Sequence, residues 1–150
     1  MLAIKQGDLF LFKAPSRRII AHGCNAQGVM GSGFALQIRQ KYPRAWESYQ
    51  AHGARLRLGQ VVPSFGGSTG DIIVNCITQE FYGRMPGRVY VDYDAVIKTM
   101  SFVAEVSEDF AGLPVHIPLI GGGLAGGNKE TLIAIFTEAF KSTNATLWLN

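Results

Sequence analysis

The sequence predicts an α/β fold with a largely parallel sheet between helical layers, and three observations predict it. Short apolar, β-branched runs recur along the 150 residues, at 19–21 (Ile-Ile-Ala), 72–74 (Ile-Ile-Val) and 117–120 (Ile-Pro-Leu-Ile). Segments with a period near 3.6 residues alternate with them, and such alternation belongs to parallel sheets. Two glycine-rich stretches each follow a strand and precede a helix. That puts both at carboxyl ends of strands, where such sheets bind ligands.

Taken in order, residues 2–6 (Leu-Ala-Ile-Lys-Gln) read as the first strand. Gly7-Asp8-Leu9-Phe10 follows, where Asp8 either caps a turn or presents its carboxylate to a ligand N–H. Pro15 and Ser16 mark a loop. Residues 17–22 form the second strand, with an apolar end that implies burial on both faces. Ser32 or Gly33 opens a helix to about Tyr42, stopped by Pro43. Residues 44–52 continue as a second helical piece that ends near Gly53, with Trp46 and Tyr49 toward the core. Residues 61–65 form a strand that Pro63 keeps near an edge.

A turn over 66–70 leads to a strand over 71–77, β-branched and apolar. Residues 78–87 form a loop in which Phe81 and Tyr82 either cover a ribose or base or pack locally. A helix runs from Val91 to about Val106, with Val96, Met100, Val103 and Val106 near helical period. Residues 115–120 form a strand in which His116 reads as a strand-face histidine. Residues 131–141 form an amphipathic helix whose Leu132, Ile135, Phe136 and Phe140 share a face. Residues 146–149 close as the last strand. There is no repeat or low-complexity segment, and the length fits one domain over 1–150.

At 47% hydrophobic and 17% charged the chain is no disordered tail. Its net charge of +3 suits an anionic ligand and is too small to argue for nucleic acid. Cys24 and Cys76 stand apart without CxxC spacing, against a zinc site or a disulfide scaffold. The three histidines and two cysteines show no ligand spacing. No metal and no cofactor is expected. A reduced, cytoplasmic setting is the expectation from isolated thiols and from an N-terminus without signal-peptide architecture. No apolar run approaches the roughly 18 to 20 residues a membrane helix needs.

The chemistry gathers in the glycine-rich stretches. The first, His22 to Phe34, reads HGCNAQGVMGSGF. Its glycines leave backbone N–H groups unobstructed, and the helix N-terminus behind them adds free donors and a positive dipole end. Asn25 and Ser32 add short polar side chains. The second, Gly121 to Asn128, reads GGGLAGGN after Ile117-Pro118-Leu119-Ile120. One such loop by itself can serve tight turns only. Two at strand ends imply one cleft that grips a diphosphate from both sides. Neither ends in the Lys-Ser/Thr of a phosphate loop, and G-x-x-G-x-G from Gly28 is not the dinucleotide fingerprint.

Together these stretches resemble a macro domain, the module that binds ADP-ribose. The resemblance rests on Gly7-Asp8-Leu9-Phe10, on HGCNAQGVMGSGFALQIRQKYPRAWESY from His22 to Tyr49, and on LIGGGLAGG from Leu119 to Gly127. It spans nearly the whole chain. The H-x-C-N-x-x-G-x-x-G-x-G pattern followed by KYP is most similar to the ADP-ribose-1″-phosphate phosphatases and to the branch of the glutamyl-ADP-ribose hydrolases. The resemblance implies a three-layer α/β/α fold with a mixed, mostly parallel central sheet and a small-molecule nucleotide ligand, ADP-ribose or a derivative. It places Asp8 on the adenine amino group, helped by the Leu9 backbone. Met30, Gly31, Ser32, Gly33 and Phe34 would line the phosphates from one side. Ile120, Gly121, Gly122, Gly123, Leu124, Ala125 and Gly126 would line them from the other. Asn25 would sit near the distal ribose, with Phe81 packed on it. The glutamyl hydrolases use a lysine after the central strand and an aspartate in the second loop; Gln79 and Ala125 stand there in this chain, and neither can do that chemistry.

Three readings follow. In the first the chain hydrolyses a group from the distal ribose, foremost the 1″-phosphate and less so a protein-linked ADP-ribosyl bond. His22 is then the candidate general acid or base, since its ordinary pKa is near neutrality, and Asn25 orients water or ribose hydroxyls. His22 can equally be a hydrogen-bonded histidine at a strand end. In the second the chain binds ADP-ribose without turnover, as the missing lysine and aspartate favour. The third, nucleic-acid binding, rests on the positive charge alone.

Overall fold

The structure, a computed structural model, describes residues 1–65, 70–83, 85–122 and 125–150. Most of the expected turn over 66–70, together with Gly123 and Leu124, lies outside the described residues. The strands are β1 (Leu2–Gln6), β2 (Ile19–Asn25), β3 (Val61–Ser64), β4 (Ile72–Gln79), β5 (Val115–Pro118) and β6 (Ala145–Leu149). They form one sheet in the order β1-β6-β5-β2-β4-β3. Every pairing is parallel except that of β3 with β4. Pro63 is on β3, an edge strand, as its missing N–H requires.

The helices are α1 (Gly33–Lys41), α2 (Pro43–His52), α3 (Tyr93–Asp109) and α4 (Lys129–Ala139). Strand alternation sorts side chains between two layers. Ile19 and Ala21 of β2 pack with Val96, Met100 and Val103 of α3 and with Leu132 and Phe136 of α4. Ile20 packs with Ile38 of α1 and Ala45 of α2. Cys24 packs with Tyr49 of α2. The result is the three-layer α/β/α arrangement with a mixed, mostly parallel sheet.

Boundaries moved where a side chain or a ladder decided them. β2 runs to Asn25 rather than ending at His22, because Gly23 and Cys24 stay in register with Cys76 and Ile77 of β4. β4 likewise continues through Thr78 to Gln79. α3 starts at Tyr93, since Asp92 caps it by accepting from the Ala95 N–H, and Val91 is bridged to Gln79. α4 starts two residues early because Asn128 accepts from the Thr131 N–H.

The amino ends of β2, β4 and β5 are closed by a buried polar group. The Tyr42 hydroxyl donates to Asp71 Oδ2 at 3.0 Å, and Arg18 N–H donates to Asp71 Oδ1 at 3.3 Å. The Trp148 indole donates to His116 Nδ1 at 2.8 Å. Burial and the Arg18 charge lower the His116 pKa to about 4, so the imidazole is a neutral acceptor. His116 is the strand-face histidine expected.

Candidate functional site

A cleft of about 350 Å³ opens at the other end of the strands. Gly31 to Ala35, Leu119 to Gly122 and Ala125 form its two walls, with Gly23 to Asn25, Thr78 and Gln79 at the strand ends between them. This is the size of a small-ligand pocket and the position expected for an α/β sheet. Both glycine stretches meet here, as the sequence implied.

The first wall is a helix start. Ser32 is the N-cap of α1, but its side chain makes no capping bond. The first intrahelical bond is Leu36 N–H to the Ser32 carbonyl. The N–H groups of Gly33, Phe34 and Ala35 thus have no carbonyl within the helix to bond, and all three residues line the cleft. An anionic group is what such an end favours.

The loop before that wall is held by side chains. Asn25 Oδ1 accepts from Gln27 N–H at 3.0 Å and Val29 N–H at 3.3 Å, and its amide donates to the Val29 carbonyl at 2.8 Å. The Tyr49 hydroxyl donates to the Asn25 carbonyl and lies 3.0 Å from Asn25 Oδ1. Gln50 of α2 donates to the Gly28 carbonyl at 2.8 Å.

The second wall is held by its own backbone. Gly127 N–H bonds the Gly121 carbonyl at 2.7 Å, and Tyr90 N–H bonds the Ala125 carbonyl at 2.7 Å. Gly126 has φ +74°, and a Cβ there would meet the Arg88 carbonyl oxygen at 2.7 Å. It is glycine so that the loop can lie on residues 88–91, and it does not itself line the cleft.

Several expected site residues are elsewhere. His22 is fully buried on the α1/α2 face of β2 and is not part of the cleft wall. Its Nε2 is 2.6 Å from Asn75 Oδ1, and its ring lies 5.9 Å from that of Phe34. Burial lowers its pKa to about 4, against a smaller upward pull from Asn75, so it is neutral at pH 7. The expected acid or base thus stands outside the cleft wall, because strand alternation turns it into the α1/α2 layer. The neighbouring Cys24 thiol is pushed well up by burial and is no thiolate.

Met30 is 1% exposed, packed with Tyr49, Leu56 and Val62 beneath the first loop rather than in the cleft wall. Phe81 is half exposed beside the Arg88 guanidinium, 5.7 Å from its ring centroid, and Tyr82 takes the place in the wall. Asp8 caps the short 3-10 turn Leu9–Leu11 by accepting from Phe10 N–H at 2.8 Å, and Leu9 is buried. That turn reaches the cleft through Phe10, stacked on Phe34 at 4.7 Å. Ile120, Gly121, Gly122 and Ala125 do line the cleft, whereas Gly123 and Leu124 lie outside the described residues. Thr78 is a wall residue that the sequence reading did not assign, and of the pair Phe81 and Tyr82, which that reading left open, Tyr82 is the one in the wall. The β-branched pair Ile77-Thr78 was the available signal that the strand continues to the cleft.

Among the described lining residues there is no carboxylate, lysine, arginine or histidine. No group of three or more His, Cys, Asp or Glu side chains that could hold a metal occurs among the described residues. No described helix is long and apolar enough to cross a membrane.

A cleft with free backbone donors at one wall, at the carboxyl end of a mostly parallel, three-layer sheet, defines the class: an α/β protein with a helix start open to its strand-end cleft. No family model matches the chain. A Candida glabrata protein named ADP-ribose 1″-phosphate phosphatase is 37% identical over 86 residues, 51% of this chain and 46% of that one. The chain thus spans less than half the length of that relative. A Debaryomyces hansenii protein of the same name is 29% identical over 153 aligned residues, covering 83% of this chain and 86% of that one. Among solved structures, a macrodomain protein from Streptomyces coelicolor superposes with TM-score 0.78 at 24% identity, covering 99% of this chain and 98% of that one. Thermosipho africanus DarTG, solved in complex with ADP-ribose, superposes with TM-score 0.82 at 15% identity, covering 99% of this chain and 41% of that one. The chain has the macrodomain fold and is similar in sequence to proteins named ADP-ribose 1″-phosphate phosphatase.

Proposed function

We propose that the chain binds ADP-ribose or a derivative in this cleft and releases the phosphate of ADP-ribose-1″-phosphate. The observation that carries the reading is the pair of backbone walls facing each other across the strand ends. In this reading the free N–H groups of the α1 first turn, placed before the ligand arrives, take the diphosphate. The Gly121–Gly122 segment, with its Gly122 N–H bonded to the Leu119 carbonyl, packs against it from the other side. The Phe10–Phe34 stack and the Asp8 turn lie toward the adenine. Asn25, Gln79 and Tyr82 lie toward the distal ribose. The names of the relatives supply the 1″-phosphate as the group removed. In hydrolysis at C1″ the C1″–O bond breaks and the phosphate leaves with its electron pair. Water bonds C1″ and passes its proton to the departing phosphate, so the step asks little of a general acid. The protein's part is to orient the ribose and a water, as Asn25 can.

One observation favours a second reading, binding without turnover: the described cleft wall holds no side chain able to take a proton at neutral pH. Two measurements on one sample separate the readings, a calorimetric titration with ADP-ribose and phosphate release from ADP-ribose-1″-phosphate. Binding with release supports the phosphatase. Binding without release leaves the sequestering or reader role. No binding removes both.

A further inference from the structure

We infer that Tyr49 is a positioning residue for this cleft, acting on the ligand through Asn25. The inference rests on the proposed nucleotide site, and it concerns a side chain that does not itself line it. Tyr49 is fully buried in α2 and is not among the cleft-lining residues. Asn25 stands where the β2–β4 ladder shifts register: Cys24 is opposite Ile77, and Asn25 is opposite Gln79. At that irregular point the Asn25 carbonyl receives the Tyr49 hydroxyl. The same hydroxyl faces Asn25 Oδ1 at 3.0 Å. Burial holds the phenol well above its usual pKa, so it remains a donor at any working pH.

The consequence is an amide with one orientation. Oδ1 accepts from two N–H groups, those of Gln27 and Val29. Flipping the amide would turn its NH₂ onto those donors. Nδ2 spends one hydrogen on the Val29 carbonyl. What Asn25 can present to a ligand is therefore an N–H, not an oxygen. It holds a ribose hydroxyl or a water by its lone pair and takes no proton from it. Tyr49, whose single hydrogen goes to the Asn25 carbonyl, fixes from behind the strand end that carries this amide.

The test is a double-mutant cycle on ADP-ribose affinity with Tyr49→Phe and Asn25→Ala. Tyr42→Phe serves as the control, because it deletes a comparable hydroxyl, bonded to Asp71 at the far end of the strands. Tyr49→Phe is expected to weaken binding about tenfold, the scale of a misplaced contact, and to have less than about a twofold effect once Asn25 is alanine. Tyr42→Phe is expected to lower the melting temperature and leave affinity unchanged. If the protein turns over, Tyr49→Phe lowers kcat more than it raises KM. Wild-type affinity in Tyr49→Phe, or the same loss with and without Asn25, overturns the inference. A wild type that binds no ADP-ribose overturns the proposed site along with it. Should Tyr49→Phe fail to fold, the wild type decides by NMR. Saturating ADP-ribose must shift the Asn25 side-chain amide pair, and unmoved resonances overturn the inference.

Discussion

The two glycine-rich loops look alike in sequence and are built on opposite plans. The first hangs from side chains: Asn25, Tyr49 and Gln50 reach its backbone from the strand and from α2. The second is tied by its own backbone and lies so close to residues 88–91 that a Cβ has no room at Gly126. At Gly31 of the first loop, by contrast, a Cβ would meet Val29 Cγ1 at an ordinary 3.5 Å. Glycine in the second loop therefore serves packing. In the first it leaves the approach to the backbone open. One wall is preformed by the fold, and the other is tunable by single side chains.

The sharpest way to break this contrast is Gly126→Ala. A positive φ and a backbone collision together should cost about 4 kcal/mol, read as a fall in the urea midpoint. A midpoint within error of the wild type would remove the packing account of the second loop.

Acid comes next, because His22 lies beneath the first loop. Its folded pKa, about 4, is below the ordinary 6.5, so the unfolded chain takes up the proton first. Stability from its neutral burial is full above pH 6.5, falls as pH drops toward 4, and amounts to about 3 kcal/mol in all. His22→Gln should flatten that part of the urea midpoint against pH. It should leave any inflection of phosphate release between pH 6 and 8 where it was, since His22 does not titrate there. A wild-type inflection abolished by the variant would restore His22 to the chemistry.

Asn25→Ala removes the centre of the first loop's bracing and should weaken ADP-ribose binding about tenfold or more by calorimetry, a little over 1 kcal/mol. Gly31→Ala is the smallest effect on the fold, within about 0.5 kcal/mol of wild-type stability. It should still impair ADP-ribose binding, because the added methyl stands at the open wall. Intact affinity in Gly31→Ala would mean that this wall does not approach the ligand.

Much of this was legible in the chain. The edge position of Pro63, the Pro43 break between α1 and α2, and the burial of Leu132, Phe136 and Phe140 follow from local rules of backbone and period. So does the arrival of both glycine loops at strand carboxyl ends. The stretch around His22 was harder. Its position beside Asn25 suggested a shared role, yet the two side chains serve different places: His22 faces Asn75 and Phe34 inside the α1/α2 layer, and Asn25 faces the loop. The pair Phe81 and Tyr82 posed the same problem, and the loop after β4 put Tyr82 in the wall.

The sequence by itself determined the alternation of strands and helices, the mostly parallel sheet and the end of it that carries the cleft. These depend on period, on proline and glycine, and on apolar runs, all of which act over a few residues. Only the tertiary structure decided which side chains meet the ligand space. That depends on where β2 and β4 stop pairing, on which helix covers each face, and on a tyrosine that reaches a strand end 24 residues away in the chain. Register and packing between distant segments set those contacts, and no local pattern encodes them.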